Sequence, residues 1–317
     1  MRRGDHPTRR ELLVPLEAAA RLLPRRLQAW LGAPLAVLSL LFFPRSRKAI
    51  ARNIEIVGGG KFSRGEIRRL TYRTFRHYGQ YLLDYMLLPH MGRKELQAVI
   101  PRMEGEEELR RALQRGKGVV AVTAHLGNWE MGGALLASHG YPVSVATALE
   151  PDPGVLALRE AIRRRIGVET LTLSDGAGAF SLVPLLAALR RNRIVALLAD
   201  RSHSGATAWV PFFGRSTGFP LGPAILARAS GAPIVPVFVT LGDDWIYDAV
   251  AEEPIWVDRT DERDADLRNA TQRLAACFEA MIARHPDQWY NFFDIWQEER
   301  VDRSAYATKS DLPRTSV

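Results

Sequence analysis

At 317 residues, 47% hydrophobic and 25% charged, the chain is long enough for one substantial core and too apolar to be disordered. Its single cysteine, Cys277 in the run LAACFEAMI, excludes a disulfide framework and a cysteine-based metal cluster and reads as a small buried hydrophobe. The formal net charge of +8 is nearly all arginine and calls for an anionic partner, either nucleic acid or an anionic membrane face.

Where the arginines fall decides between those partners. They crowd the first 80 residues and flank an uncharged stretch, LQAWLGAPLAVLSLLFFP, between Arg26 and Arg45. Its 18 residues sit at the lower limit for a spanning helix, and Gln28, Gly32 and Pro34 weaken that reading. Trp30, Phe42 and Phe43 stand near its ends like interfacial anchors. We read residues 1–60 as a basic, apolar membrane-anchoring segment, either a short tilted span or a helix lying in the interface. A buried helical hairpin is the competing reading. No small-residue cleavage site follows, so it is not a cleaved signal.

Residues 11–56 read as helical, with breaks near Pro24 and Pro34. Residues 63–90 form a second helical block, opened by Ser63 with Glu66 three residues on, a capping box. From about residue 100 the pattern changes. Short apolar runs at 118–125, 142–147, 169–173, 193–200 and 233–239 read as buried strands, with helical patterns at 127–138, 154–166, 178–191 and 220–230 between them. A last long helix is expected from about Asp264 to His285. Strands alternating with helices predict an α/β fold, a mostly parallel central sheet flanked by helices, over residues 61–317.

His125 ends the strand GVVAVTAH, and Gly127 opens a turn into an apolar helix. Functional residues collect at the carboxyl ends of strands in open α/β sheets, so His125 has the address of a catalytic base. Glu130, five residues on, reaches the imidazole if the chain bends at Gly127, fixing the tautomer and stabilising the imidazolium. RIVALLAD ends in Asp200, again at a strand end, followed by Arg201. Asp200 either orients His125 from the other side or holds Arg201. The loop VPFFGRSTGFPLGP offers Phe213, a turn at Gly214, and Arg215. Backbone donors there, or at the helix that follows, suit an anion or an oxyanion. Phe212 and Phe213 as core with Arg215 solvated is the alternative. Arg159, Arg163, Arg164 and Arg165 make a basic run on one helix, which by itself reads as a solvated face with at most one or two of the four turned to the site. Pro286 ends the helix before it, so His285 reads as a cap, and the aromatic stretch from Trp289 reads as packing.

HLGNWE after a buried strand resembles the H-x-x-x-x-D/E motif of the lysophospholipid acyltransferase superfamily, and within it the lipid A late acyltransferase branch. ARNIEIV, LREAIRRRIGVETL, the block from LLADR to IVPVFV and HPDQWYNFFDIW are similar to further segments of that branch, from about residue 45 to 297. The stretch Ala-Asp-Arg also resembles phosphatidylinositol mannoside acyltransferases, and the tail YNFFDIW departs from the lipid A pattern.

The resemblance implies a membrane enzyme that moves a fatty acyl group from a thioester, on acyl carrier protein or coenzyme A, to a hydroxyl of a glycolipid or phospholipid. A lipid A precursor is the leading acceptor and a phosphatidylinositol mannoside-type glycolipid the alternative. It implies His125, Glu130 and Asp200 as catalytic and Asn128, Arg163, Arg164, Arg201, Phe213, Gly214 and Arg215 as substrate-binding. It implies no metal, a monomer, an anionic membrane lipid as partner, and the cytoplasmic face of a bacterial inner membrane. Two other classes compete. A non-catalytic membrane scaffold is opposed by the intact His125 and Glu130. A nucleic-acid binder is opposed by the absence of a binding motif and by arginines gathered around an apolar segment. A hydrolase lacks a G-x-S-x-G elbow.

Overall fold

The computed structural model describes residues 23–148, 152–173, 182–202 and 206–296. Helices Arg25–Phe42 (α1) and Pro44–Val57 (α2) lead into a long helix, Arg64–Leu87 (α3). Ser63 caps α3 as its sequence predicts: its hydroxyl accepts from the Glu66 amide at 3.3 Å, and the Glu66 carboxylate accepts from the Ser63 amide at 2.8 Å. The expected break at Pro34 is absent. α1 runs through it, and the chain breaks at Phe43, just before Pro44 starts α2 at its first turn. Packing of α1 along α3 holds the helix together across the missing amide. Residues 11–22 of the expected N-terminal helix lie outside the described residues.

Beyond short helices Arg93–Val99 (α4) and Glu106–Gln114 (α5), which the sequence patterns did not reveal, a seven-stranded sheet forms the body. In chain order its strands are Met103–Glu104 (β1), Val119–Thr123 (β2), Val143–Ala148 (β3), Glu169–Leu173 (β4), Ile194–Leu198 (β5), Ile234–Leu241 (β8) and Tyr247–Ala251 (β9). Their spatial order is β1-β9-β8-β2-β5-β3-β4, parallel except for β8 with β9. Helices Trp129–Ser138 (α6), Pro153–Arg165 (α7), Val183–Arg190 (α8), Gly222–Ser230 (α9) and Arg263–Arg284 (α10) complete the α/β pattern. The stretch expected as a loop with a turn at Gly214 is instead a separate antiparallel hairpin, Thr207–Phe212 (β6) with Arg215–Pro220 (β7). Phe213 and Gly214 sit at its tip with φ of 48° and 69°, the two-residue left-handed turn that suits a twisted hairpin.

β2 shows why the strand runs read as continuous rather than alternating. Val120 and Val122 point into a cluster with Phe238, Leu274 and Phe278. Val119 and Ala121 point the other way, onto Leu109, Leu113 and Leu136. Both faces are covered by helices, so both are apolar. Residues 23–60 join this structure: Ala36, Ile50 and Ile54 share a cluster with Phe75, and the Asn53 amide donates to the carbonyls of Asn291 and Phe293 at 3.1 and 2.8 Å. Among the described residues no helix is long and apolar enough to cross a membrane.

After β2 the chain turns at Gly127, whose φ is 62°. Its amide donates to the Gln288 carbonyl and the next amide, of Asn128, to the Val239 carbonyl. A Cβ at Gly127 meets the Val239 carbonyl oxygen head-on. Gly127→Ala is therefore expected to cost about 2 kcal/mol or more of stability, read as a lower urea midpoint at unchanged slope.

Candidate active site

β2 and β5 pair in parallel with Thr123 opposite Leu198, and the Ala199 amide donates to the Thr123 carbonyl at 3.0 Å. Two residues beyond each of these partners stand His125 and Asp200. Their side chains meet, with Nδ1 and Oδ1 2.6 Å apart. The Asp200 side chain is fully buried, whereas His125 keeps 20% of its side-chain surface. A carboxylate on Nδ1 holds the ring proton there and leaves Nε2 to accept another.

The C-terminal segment closes over this pair. Gln288 uses both ends of its buried amide on Leu241 of β8, each bond 2.7 Å, and so fixes the start of the segment. The Tyr290 amide then donates to the His125 carbonyl at 2.8 Å. Trp289 Nε1 and Asn291 Nδ2 donate to Asp200 Oδ2 at 2.9 and 3.4 Å. Arg201 donates to the Asn291 side-chain oxygen at 2.6 Å and to the Tyr290 carbonyl at 2.7 Å, and lies over the Phe293 ring. Burial alone pushes the Asp200 carboxyl up. The charge and hydrogen bond of His125, then Arg201 and Trp289, outweigh it and hold the carboxyl well below its usual range.

Glu130 does not reach the imidazole. It lies in the first turn of α6 and pairs with Arg163 of α7, at 2.6 Å from Nη2 and 3.2 Å from Nε. Both side chains are buried. Of the two acids weighed as partners of His125, the structure places Asp200 on the ring and Glu130 on the arginine. The reason is local: Asn128 caps α6 through the Met131 amide, so Glu130 begins on the helix and turns toward α7.

The remaining expected residues divide. Asn128, expected to bind substrate, is fully buried; its side chain caps α6 and donates to the Tyr247 hydroxyl at 3.2 Å. Arg201 braces the C-terminal segment. Arg164 and Arg215 are exposed, Arg164 on α7 and Arg215 at the hairpin tip. The Phe213 amide already donates to the Glu279 carboxylate at 2.8 Å, so this turn does not offer it to an anion. The amides of Gly127 and Asn128 are likewise engaged. Trp289 and Asn291, read from the sequence as packing, reach the buried carboxylate, and His285 does end α10. Beside His125 stands an aromatic wall: Trp129 lies 5.4 Å from the imidazole centroid, Tyr81 4.6 Å from Trp129, and Tyr78 5.2 Å from Tyr290. Among the described residues no group of three or more His, Cys, Asp and Glu is placed to hold a metal ion.

Two stability effects follow from these pairs. An unfolded Asp titrates near about 3.9, and the Asp200 carboxyl lies lower in the fold, so its stabilisation is complete above about pH 4 and is lost as the pH falls through the folded value. Urea midpoints measured from neutral pH down to strong acid are expected to fall in that window, less steeply for Asp200→Asn. Glu130→Ala leaves Arg163 charged and buried, and is expected to cost about 3–5 kcal/mol. Glu130→Leu with Arg163→Met is expected to recover most of that loss in the same measurement.

The model of the family described as bacterial lipid A biosynthesis acyltransferase matches residues 10–298. The chain is 34% identical over 229 residues to a phosphatidylinositol mannoside acyltransferase of Mycobacterium tuberculosis (strain CDC 1551 / Oshkosh), covering 70% of this chain and 69% of the relative. It is 32% identical over 227 residues to the protein of that name from Mycolicibacterium smegmatis (strain ATCC 700084 / mc(2)155), covering 71% of each. The chain is thus an acyltransferase and belongs to the bacterial lipid A biosynthesis acyltransferase family.

Proposed function

We propose that the protein transfers a fatty acyl group from an acyl thioester, carried by acyl carrier protein or coenzyme A, to a hydroxyl of a glycolipid at a membrane surface. The observation that carries the mechanism is the 2.6 Å contact of His125 Nδ1 with the buried Asp200. With its tautomer held, His125 Nε2 takes the proton of the acceptor hydroxyl. The oxygen attacks the thioester carbonyl, the C–O bond forms, and the tetrahedral intermediate collapses with loss of the C–S bond. The imidazolium returns its proton to the departing thiolate. Asp200 stabilises the imidazolium without taking its proton.

The relatives' names favour a phosphatidylinositol mannoside-type acceptor over a lipid A precursor. The membrane part of the reading rests on α1. Leu27, Trp30, Val37, Leu38 and Leu41 follow helical spacing and face outward, Trp30 with 75% of its surface exposed. Phe42 and Phe43 extend the patch, and the exposed Arg26, Arg45, Arg47 and Lys48 flank it. An apolar stripe turned to solvent with basic flanks suits an anionic lipid interface, with α1 lying in its plane. The cytoplasmic face of a bacterial inner membrane is the expected location.

His125→Ala is expected to abolish transfer while membrane association is unchanged. Asp200→Asn, which leaves the ring in the wrong tautomer, is expected to lower kcat by roughly 10³-fold or more. Radiolabelled acyl thioester with membrane glycolipids measures both, and mass spectrometry of lipids from cells with and without the protein identifies acceptor and chain length. Substantial transfer by purified His125→Ala sinks the mechanism.

A further inference from the structure

One buried polar chain lies outside the catalytic pair. Arg25, in the first turn of α1, clamps Asp84 of α3 with both terminal nitrogens, at 2.6 and 2.9 Å, and donates through Nε to the Trp245 carbonyl. Asp84 is fully buried and accepts two further hydrogen bonds: from Gln80 at 3.0 Å and from the Tyr247 hydroxyl at 2.6 Å. Tyr247 in turn accepts from Asn128 at 3.2 Å. Asn128 is the cap of α6 and stands three residues after His125. An unbroken path of hydrogen bonds therefore joins the helix with the outward apolar stripe to the turn that carries the base.

Plain stability explains this path poorly. A buried ion pair between an arginine and a carboxylate is often no better for stability than apolar packing of the same volume. An arginine at a helix N-terminus is also opposed by the helix dipole, so its place on α1 depends on Asp84. What such a fully satisfied network does supply is a fixed geometry at both ends. Arg25 keeps 18% of its side-chain surface, which puts this end of the path at the molecular surface.

We infer that Arg25, Asp84, Tyr247 and Asn128 are positioning residues that couple the seating of α1 on lipid to the order of the His125–Trp129 turn. The inference rests on the membrane reading of α1 above. In water the apolar stripe is solvated, and the Arg25 clamp and packing on α3 seat this end of α1. On lipid the stripe is buried, and α1, the carboxylate, the phenol and the cap of α6 hold one arrangement. Lipid shifts the population only as far as it binds that arrangement better.

The test uses the full chain, wild type and Tyr247→Phe, with and without vesicles of phosphatidylglycerol and phosphatidylcholine. Hydrogen exchange of the amides at residues 127–132 is read beside acyl transfer. In the wild type, vesicles are expected to slow that exchange about tenfold or more. Tyr247→Phe is expected to bind vesicles as the wild type does, to lose the slowing, and to lower kcat about tenfold at unchanged KM for the thioester. Arg25→Lys, which keeps a cation on the buried Asp84 but cannot clamp both of its oxygens, carries the same expectation should Tyr247→Phe fail to fold. Exchange raised equally with and without vesicles means a merely structural role and overturns the inference, as does wild-type behaviour of both variants or a wild type that ignores vesicles. Vesicle-dependent slowing without transfer to any glycolipid leaves the inference standing and removes the proposed function. Transfer without any slowing does the reverse.

Discussion

The parallel register of β2 and β5 is the constraint on which the site depends. Thr123 lies opposite Leu198, so the residues two further on are presented at the same height and on the same face. That delivers His125 and Asp200 to one another from segments 75 residues apart. A slip by one residue turns the strand-end side chains to the opposite face. Arg201, next in the chain, illustrates the alternation: it points to the C-terminal segment instead of the imidazole. Such a register is strongly specified where a strand face is buried, and β2 is buried along its whole length.

A fully buried carboxylate needs more than one partner. Here the C-terminal segment supplies the rest. Gln288 joins β8 as a strand would, an isolated bridge pairs Leu126 with Trp289, and the following residues donate to Asp200 and to the His125 backbone. Residues near the chain's end thus set the environment of a pair formed by two central strands. Asn53 of α2 bonds the same segment through two carbonyls, which ties the N-terminal helices to it as well.

β2, β3, β4, β5 and β8 were legible as short apolar or β-branched runs; burial on both faces explains this for β2, whereas β4 lies at the sheet edge and is only partly buried. β4 in particular has the bounds its pattern predicts, at 169–173. β1 is two residues long, too short for any pattern, and β9 carries Asp248 on an exposed position, so neither reads as a core strand. The β6–β7 hairpin is hidden because the first of its two positive-φ turn positions holds Phe213 rather than Gly or Asn. Contact of its ring with Trp296 and of its amide with Glu279 hold that conformation, and both are tertiary facts. The strand-end address of His125 was legible. Its partner was not, because spacing places Glu130 and Asp200 on equal terms, and only the register and the position of Arg163 separate them.

That separation has a chemical logic. A base needs a neighbouring carboxylate that stabilises the imidazolium yet does not itself become the proton's resting place. The Asp200 carboxyl is held low by His125 itself and then by Arg201 and the Trp289 hydrogen bond, while Asn291 also donates to its second oxygen. A second carboxylate against the same ring raises the proton affinity of the whole cluster and leaves two anions sharing one small cation. Pairing Glu130 with Arg163 avoids this. The second acid is neutralised within its own pair, joining α6 to α7, and the imidazole faces one carboxylate alone. The five-residue spacing of His125 and Glu130 thus serves two separate carboxylate pairs, and only one of them includes His125.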